Sequence, residues 1–341
     1  MKKKYSIIIQ IIFIMAKPEI LTKSDNNRFF LFPIQYHDMW SHYKNHQATN
    51  WTVEEIDMSI DRKQWHTLTS SEKKFVENIL AFFANSDSIV LENLVTNFCS
   101  QICIPEARCF YAFQAMNEVT HSETYNMMID TFIEDEERKN ELYRAMETIP
   151  CVERKASWAL KWIENKQDHC DLARKLFAFG IVEGLFFSGS FCAIFYLKEQ
   201  GKLIHSLGKS NEWICRDETA HTSFAILLYT YIQNRLSKEE AEDIMREAVD
   251  IETEFVCDSI PVSMIGMSKE MMCEYIRFVA DRLMVQFGYH ILYEAKNPFP
   301  FMQKISLDGK TNFFEARVSE YQIVKSVKDN LEFSNFENDI F

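Results

Sequence analysis

The chain has 341 residues, of which 47% are hydrophobic, and it carries a formal net charge of −13. A chain of this length and hydrophobic content can bury a large core, and its strong negative charge argues against binding to a nucleic-acid backbone. Gly and Pro are scarce, at 8 and 7 residues, which disfavours a turn-rich β protein and favours long helices. The nine cysteines show no C-x-x-C spacing, and this pattern predicts reduced thiols in a cytoplasmic protein.

The N-terminal segment permits two interpretations. Three lysines precede an apolar run at positions 5–15, as they do in a short secretory signal peptide. Gln10 interrupts this run and no small-x-small cleavage site follows, so we favour an N-terminal extension. Residues 17–50 mix aromatic and polar side chains, and we expect an irregular arm that packs on the body, with a short helix from Trp40 to His46.

Two capping boxes mark helix starts in the next part of the chain. Thr52–Glu55 and Thr69–Glu72 both have the Thr-x-x-Glu spacing that satisfies the free N–H groups of a first helical turn. The second box precedes an apolar helical pattern from Phe75 to about Phe98. Asp87 lies inside this pattern, and because Asp is a poor helix former it either turns towards solvent or makes an interaction that offsets its cost.

Further helices and a tail are predicted along the rest of the chain. Residues 318–341 are polar and acidic with sparse Phe, which indicates a disordered tail that either stays free or orders on a partner. The hydrophobic periodicity predicts helices at Pro105–Phe132, 139–147, 152–165, Asn211–Tyr231, 238–255 and 269–289.

The run from Leu176 to Leu197 contains one charged residue, Glu183. The run is long enough to span a bilayer, but the sequence shows no second span, and a lone central Glu in lipid is costly. A helix buried on all sides of a large bundle explains the same run, so we expect no membrane partner. In such a helix the carboxylate of Glu183 must be paired, protonated or bound to metal.

Two segments, Glu118–His121 and Glu218–His221, contain the motif Glu-x-x-His. Residues three apart share a helix face, so each segment can direct a carboxylate and an imidazole at one point. A single such motif is more often a surface ion pair. Two of them, together with Asp87 and Glu183, match the di-metal carboxylate pattern of ferritin-like helical bundles. Carboxylates and imidazoles without a thiolate favour iron or manganese over a cysteine-type structural zinc site.

Tyr125 narrows the choice of chemistry. It follows His121 by four residues and therefore lies on the same helix face. A phenol beside a di-iron site can lose one electron and one proton to form a tyrosyl radical, whereas the alternative is an ordinary core tyrosine. Phe187, Phe191 and Ile214 lie one or two helical turns from the candidate ligands, and they are candidates for a dry wall around such a radical.

These motifs resemble the small, radical-generating subunit of class I ribonucleotide reductase, in its eukaryotic and large-DNA-virus branch. The resemblance covers the chain from about Trp40 to Phe341, and it implies an all-α, ferritin-like helical bundle with additional helices. It is carried by Ala84-x-Ser86-Asp87, Glu118-x-x-His121-x-x-x-Tyr125, Val182-Glu183-Gly184-x-Phe186-Phe187, Cys215-Arg216-Asp217-Glu218-x-x-His221 and Gly309-Lys310-Thr311-Asn312-Phe313-Phe314-Glu315.

The resemblance also implies the cofactor. It implies two iron ions per chain with a bridging oxygen, manganese being possible, and a tyrosyl radical at Tyr125. One ion would be held by Asp87, Glu118 and His121, and the other by Glu183, Glu218 and His221, with Glu118 and Glu218 bridging.

Radical transfer and partners are implied in the same way. Trp51 and Asp217, with His121, would form a transfer route, and Tyr321 would relay the radical to a large catalytic subunit. The C-terminal peptide ending at Phe341 would dock on that subunit, and the small subunit would be a homodimer. The implied division is an extension and arm at 1–50, a ferritin-like di-iron domain at 51–317 and a flexible tail at 318–341.

Three alternatives stay open at this point. The ligand set also suits a di-iron oxidase or hydroxylase, a ferritin-like iron store, or a damaged copy that only binds a partner. The tail and Trp51 argue against the first two, and the intact ligand set argues against the third. No Gly-rich loop that would cradle a phosphate is visible, so we expect the ribonucleotide to bind elsewhere than on this chain.

Overall fold

The computed structural model describes residues 19–24, 29–162, 170–259, 262–265 and 267–302. Within these ranges the regular structure is helical and no β-strand is present, which confirms the predicted all-α class. The helices are α1 (His37–Gln47), α2 (Ser59–Trp65), α3 (Ser70–Asn93), α4 (Pro105–Phe132), α5 (Glu136–Tyr143), α6 (Ala145–Thr148), α7 (Pro150–Lys161), α8 (Asp171–Ile181), α9 (Ser188–Glu199), α10 (Leu207–Tyr231), α11 (Lys238–Thr253) and α12 (Lys269–Gln286).

Several shorter helical segments complete or connect these helices. A π-helical segment, Leu94–Phe98, and a final turn, Cys99–Gln101, extend α3. A second π segment, Val182–Phe186, joins α8 to α9, and a third, Glu254–Ser259, extends α11. Short 3-10 turns lie at Val53–Glu55 and Val262–Ile265.

Local sequence signals explain most of the helix boundaries. At the start of α3, Thr69 Oγ1 accepts a hydrogen bond from the N–H of Glu72 at 3.2 Å, and Glu72 Oε2 accepts one from the N–H of Thr69 at 2.9 Å. This reciprocal pair confirms the predicted capping box. Pro105 occupies the first turn of α4, where its missing N–H costs nothing, and α4 has the predicted bounds.

The helix expected from Asn211 begins at Leu207, and the one expected at 152–165 spans Pro150–Lys161. Two other predicted boundaries were wrong for an identifiable local reason. The helix expected at 139–147 begins earlier, as α5, because Asp135 caps it by accepting a hydrogen bond from the N–H of Arg138 at 2.7 Å. The helix expected to reach Tyr289 ends at Gln286. There Gly288 adopts a φ of +91°, and the N–H of Tyr289 donates to the carbonyl of Met284 at 2.8 Å. This glycine-terminated turn closes α12.

Four helices, α3, α4, α8 and α10, pack together to build the centre of the molecule. Helix α3 packs along α4, α8 packs on α10, and α4 also contacts α10. Helix α1, which lies in the predicted arm, packs against both α4 and α10. The π segment at Val182–Phe186 contacts α10, α11 and α12, so it is enclosed by helices. Side chains that point between these four segments therefore enter one shared interior.

Among the residues that the structure describes, two helical stretches, rather than one, are long and apolar enough to cross a membrane: Ser70–Gln101 and Asp171–Glu199. The expectation of a single such run was therefore wrong. The most apolar window of the second stretch is 94% buried inside the fold, and that of the first is 61% buried. Burial among other helices thus accounts for the apolar character of the run that contains Glu183.

Candidate metal centre

The structure brings the six predicted ligands together in the interior. Helix α3 contributes Asp87, and the π segment between α8 and α9 contributes Glu183, while α4 and α10 each contribute a Glu-x-x-His pair. All six side chains are at most 2% exposed. They form two groups that could each hold a metal ion and that share one residue: Asp87, Glu118 and His121, and Glu118, Glu183, Glu218 and His221.

The two glutamates of the Glu-x-x-His motifs lie between the two imidazoles. His121 Nδ1 is 3.1 Å from Glu218 Oε1 and 3.5 Å from Glu118 Oε2. His221 Nδ1 is 3.1 Å from Glu118 Oε1 and 3.2 Å from Glu218 Oε2. Each carboxylate therefore reaches both imidazoles, which is the placement that a pair of bridging ligands needs.

Gly184 allows this close packing around the π segment. A Cβ atom at Gly184 would lie 2.9 Å from Leu283 Cδ2 and 3.0 Å from Thr222 Cγ2, closer than side chains approach one another. The absence of a side chain lets the segment that carries Glu183 lie directly against α10 and α12. π-Helical segments occur frequently at functional sites, because the extra residue redirects a side chain.

The buried carboxylates and imidazoles of the site shift one another's pKa values. Burial, and then the neighbouring carboxylate of Glu118, raise the pKa of Asp87, while burial and Glu218 raise the pKa of Glu183. Burial disfavours ionised Glu218 too, but hydrogen bonding to Glu183 and both imidazoles outweigh it and lower its pKa.

The two imidazoles respond in the opposite sense. Burial lowers the pKa of His121 and His221, but the surrounding carboxylates outweigh burial and raise the pKa of both rings. Protons thus supply part of the positive charge that divalent cations would supply, and metal binding would release them.

The donor set fits two hard divalent cations. Asp87 Oδ2, Glu118 Oε2 and Glu183 Oε2 are buried and make no hydrogen bond within the described part of the chain. Buried polar atoms without partners are costly, so such a cluster needs a ligand to offset its cost. Carboxylate oxygen and imidazole nitrogen are the donors that iron and manganese accept in helical bundles.

Tyr125 lies beside this cluster in a dry, aromatic environment. Its side chain is fully buried, and its ring stacks on Phe83 with centroids 4.6 Å apart and an interplanar angle of 6°. Phe83 in turn contacts Phe187 and Phe191, at centroid distances of 5.5 and 5.3 Å. The phenylalanines predicted to form a dry wall therefore reach Tyr125 through Phe83. Ile214 is also buried.

The phenol of Tyr125 keeps its proton. Burial, and then the nearby carboxylate of Asp87, raise its pKa well above the ordinary value. The hydroxyl donates a hydrogen bond to Asn211 Oδ1 at 2.8 Å. Asn211 Nδ2 donates to the carbonyl of Leu207 at 2.8 Å, which turns the amide oxygen towards the phenol. No local sequence pattern signals this contact, since the two partners lie 86 residues apart.

Trp51, Asp217 and His121 form a connected chain of side chains. Trp51 Nε1 donates to Asp217 Oδ2 at 2.7 Å, and the same oxygen lies 3.3 Å from His121 Nε2. Arg216 donates to Asp217 Oδ1 at 3.1 and 3.2 Å. Burial alone would raise the pKa of Asp217, but the hydrogen bond and charge of His121 lower it, so the carboxylate stays ionised.

Two further buried residues that the sequence did not single out touch the ligands. Gln114 Nε2 donates to Glu183 Oε1 at 2.9 Å. His46 Nε2 lies 3.0 Å from His221 Nε2, and burial followed by the charge of His221 lowers the pKa of His46 to about 3. Their partners are 69 and 175 residues away along the sequence, beyond the range of any helical periodicity.

Not every predicted residue can be placed. Tyr321 and the C-terminal peptide ending at Phe341 lie outside the described residues, as does most of the predicted N-terminal extension. Their roles stay predictions.

Comparison with known proteins shows the family. The family model "Ribonucleotide reductase, small chain" matches residues 28–298. The protein is 51% identical over 304 residues to the ribonucleoside-diphosphate reductase small chain of Nicotiana tabacum, covering 89% of the present sequence and 91% of the tobacco one. It is also 52% identical over 306 residues to the small chain of Vaccinia virus (strain Ankara), covering 89% and 95%.

Solved structures show the same fold. The Rnr4 homodimer of Saccharomyces cerevisiae matches with a TM-score of 0.80 at 36% identity, covering 94% of the present sequence and 98% of the yeast one. The ribonucleotide reductase R2 subunit of Clostridium botulinum matches with a TM-score of 0.74 at 23% identity, covering 80% of the present sequence and 89% of the bacterial one. At this identity the match shows a similarity of fold alone. The predicted ferritin-like class is confirmed, and the chain belongs to the small-chain family of ribonucleotide reductase.

Proposed function

We propose that this chain is the radical-generating small subunit of a class I ribonucleoside-diphosphate reductase. It holds a di-iron centre, stores a radical at Tyr125 and passes that radical to a large catalytic subunit, which reduces ribonucleotides to deoxyribonucleotides. The observation that carries the proposal is the meeting of six buried metal-binding side chains beside a buried phenol.

The six side chains would hold two metal ions. Asp87 and His121 would hold one ion and Glu183 and His221 the other, with Glu118 and Glu218 available to both. Iron is the metal that we propose, and manganese is the alternative that the same donors accept. When bound, the metal pair supplies the one-electron oxidising power, with dioxygen as the oxidant.

Tyr125 supplies the electron and stores the radical. Because burial raises the pKa of its phenol, the hydroxyl loses its proton only when the ring loses an electron. Asn211 holds the hydroxyl in one orientation through the bond to its Oδ1. The stacked ring of Phe83 and the buried phenylalanines behind it exclude water and reductants that would quench a radical.

The route out of the site runs through Asp217. Its Oδ2 contacts both His121 and Trp51, so one carboxylate oxygen joins a metal ligand to an indole. Arg216 binds the other oxygen and also donates to the carbonyl of Thr49 at 2.6 Å, which fixes the orientation of the carboxylate. We propose that Trp51 passes the radical onwards, and that Tyr321 in the tail relays it to the large subunit.

Two protein partners complete the proposal. A second copy of the protein covers the outer face of α4 and of the π segment that extends α3, where Val95, Met116, Val119 and Met127 are between 43% and 56% exposed. The large subunit binds the tail, 318–341, through the peptide ending at Phe341. Removing the residues after Ser334 should therefore spare the radical and abolish activity with the large subunit. The domain division at 50 and 317 belongs to the same proposal.

We place this activity in the cytoplasm. No disulfide links the cysteines whose side chains the structure describes, and cysteines that stay reduced suit a reducing compartment.

Electron paramagnetic resonance tests the proposed function directly. Iron-loaded protein exposed to air should show a tyrosyl radical signal. The variant Tyr125→Phe should bind the same amount of iron and show none. A signal that survives in this variant would refute the assignment of the radical to Tyr125. Oxygen consumption with an added organic substrate and no persistent radical would favour a di-iron oxidase or hydroxylase instead.

A further inference from the structure

A second buried imidazole lies behind the metal-binding ring of His221. His46, on α1, is 3% exposed, and its ring meets that of His221 at 79° with centroids 4.9 Å apart. The two Nε2 atoms are 3.0 Å apart, within hydrogen-bond distance. Phe110 stacks on His46 and Phe113 meets it edge-on, at centroid distances of 5.3 and 4.9 Å. The ring of His46 is therefore held in place by its neighbours.

The position of the nitrogens decides which ring donates. His221 Nδ1 faces the carboxylates of Glu118 and Glu218 at 3.1 and 3.2 Å, so Nδ1 is the atom available to a metal ion. With a metal on Nδ1, the hydrogen of His221 is on Nε2, and that N–H requires an acceptor. Nε2 of His46 lies 3.0 Å away, and it accepts only when its own hydrogen is on Nδ1.

The other ligand histidine has a different kind of partner. His121 also directs Nδ1 into the site, but its Nε2 faces a carboxylate oxygen of Asp217 at 3.3 Å. A carboxylate behind a ligand imidazole raises its basicity more than a second imidazole does, because it carries a full negative charge. The two ligand histidines therefore have hydrogen-bond partners of unequal strength, a carboxylate for His121 and an imidazole for His221.

We propose that His46 is a positioning residue, which fixes the tautomer and orientation of His221 and so strengthens metal binding at the position that His221 serves. The inference rests on the proposed metal centre and extends it. It concerns the protein's own α1 helix, in the segment expected from the sequence to be an irregular arm.

A purely structural role does not explain His46. Its Nδ1 is buried and makes no hydrogen bond within the described part of the chain. An unpaired buried N–H costs stability, whereas an apolar side chain of similar size would avoid that cost. The interaction that offsets the cost is the one with His221.

Cobalt(II) binding to the full-length protein tests the inference without any measurement of activity. Two variants separate hydrogen bonding from packing: His46→Leu keeps apolar bulk but removes the acceptor, and His46→Gln restores an acceptor oxygen. His42→Leu is the matched control. His42 lies one turn earlier on α1 and is half-buried; its Nδ1 lies 2.9 Å from the carbonyl of Asp38, and its ring centroid lies 6.1 Å from that of Phe224.

We expect wild-type protein and His42→Leu to bind two cobalt ions per chain. In His46→Leu one of the two binding steps should weaken by about 10- to 100-fold, the usual effect of removing the partner of a ligand histidine, and His46→Gln should recover most of the loss. Paramagnetic proton resonance spectra give a second readout. One of the two exchangeable ligand N–H signals of wild type should disappear in His46→Leu and return in His46→Gln.

Each outcome has a defined meaning. Two unchanged binding steps in His46→Leu would overturn the inference and leave the metal centre intact. Equal weakening in the Leu and Gln variants would overturn it too, because packing rather than hydrogen bonding would then matter. A lower thermal midpoint of metal-free His46→Leu with unchanged cobalt binding would show a structural role only. Wild-type protein that binds no cobalt would refute the proposed metal centre itself.

Discussion

A buried ion pair behind the π segment offers a prediction whose magnitude follows from the structure. Lys155 on α7 and Glu252 on α11 are 2% and 0% exposed, and Lys155 Nζ lies 2.5 Å from Glu252 Oε2. The ammonium also donates to the carbonyl of Phe186 at 2.5 Å, the last residue of the π segment that carries Glu183. Phe82 and Phe255 present their ring faces to it at 3.9 Å. The substitution Lys155→Met keeps the apolar stem and removes the charge.

The expected cost is large because Glu252 loses its counter-charge in the core. Removing one partner of a buried ion pair typically costs about 3–5 kcal/mol in the free energy of unfolding. The matched control is Arg154→Met on the same helix. Arg154 pairs with Glu254, but the two side chains are 52% and 41% exposed, so this loss should be about 0–1 kcal/mol.

The pH dependence of the loss has a definite sign. Burial raises the pKa of Glu252, and Lys155 opposes that rise, so Lys155→Met should raise the pKa further. A carboxyl group whose folded-state pKa is raised destabilises the fold above its unfolded-state pKa, and the penalty disappears as the pH falls. The deficit should therefore be larger at pH 8 than at pH 5, changing by up to about 1.4 kcal/mol per pH unit in that window.

Urea denaturation of the metal-free protein, followed by circular dichroism at one protein concentration, measures these losses. The double variant Lys155→Met/Glu252→Gln should recover most of the stability at pH 8, since it leaves no buried charge. A loss in Lys155→Met no larger than in Arg154→Met would refute the reasoning. So would a loss that is the same at pH 5 and pH 8.

Three further substitutions test the surroundings of the centre. Gly184→Ala should lower the free energy of unfolding by about 1–3 kcal/mol, because the added methyl group overpacks against Leu283 and Thr222, and it should weaken metal binding. Unchanged thermal and metal-binding midpoints would contradict this. Asn211→Leu leaves the buried hydroxyl of Tyr125 without its acceptor, so it should lower stability by about 1–3 kcal/mol. It should also shorten the lifetime of the radical signal, which time-resolved paramagnetic resonance records. Trp51→Phe removes the indole donor to Asp217, so the radical should still form while turnover with the large subunit is lost; normal turnover would exclude Trp51 from the route.

Local sequence patterns predicted much of this architecture. The Thr69 capping box and Pro105 defined where α3 and α4 begin, because both signals act within one helical turn. The Glu-x-x-His spacing placed each carboxylate beside its imidazole for the same reason. Glu183 was identifiable because a lone charge in a long apolar run has to be neutralised.

Contacts between segments that are distant along the chain could not be predicted from the sequence. His46, Gln114 and Asn211 touch the ligands or the phenol only because segments far apart in the sequence pack together in the interior. Nothing in their own neighbourhood distinguishes them from other buried polar residues. The early start of α5 and the early end of α12 depend on a capping Asp and a Gly with positive φ, and single-residue signals of this kind are easily outweighed by a longer apolar pattern.

The most direct test of the central claim is an anomalous-scattering map of crystals loaded with ferrous iron. The account predicts two peaks per chain between the side chains of α3, α4, α10 and the π segment, with Glu118 and Glu218 contacting both ions and Tyr125 beside them. One peak at the surface, none in the interior, or the six side chains turned away from the ions would contradict it.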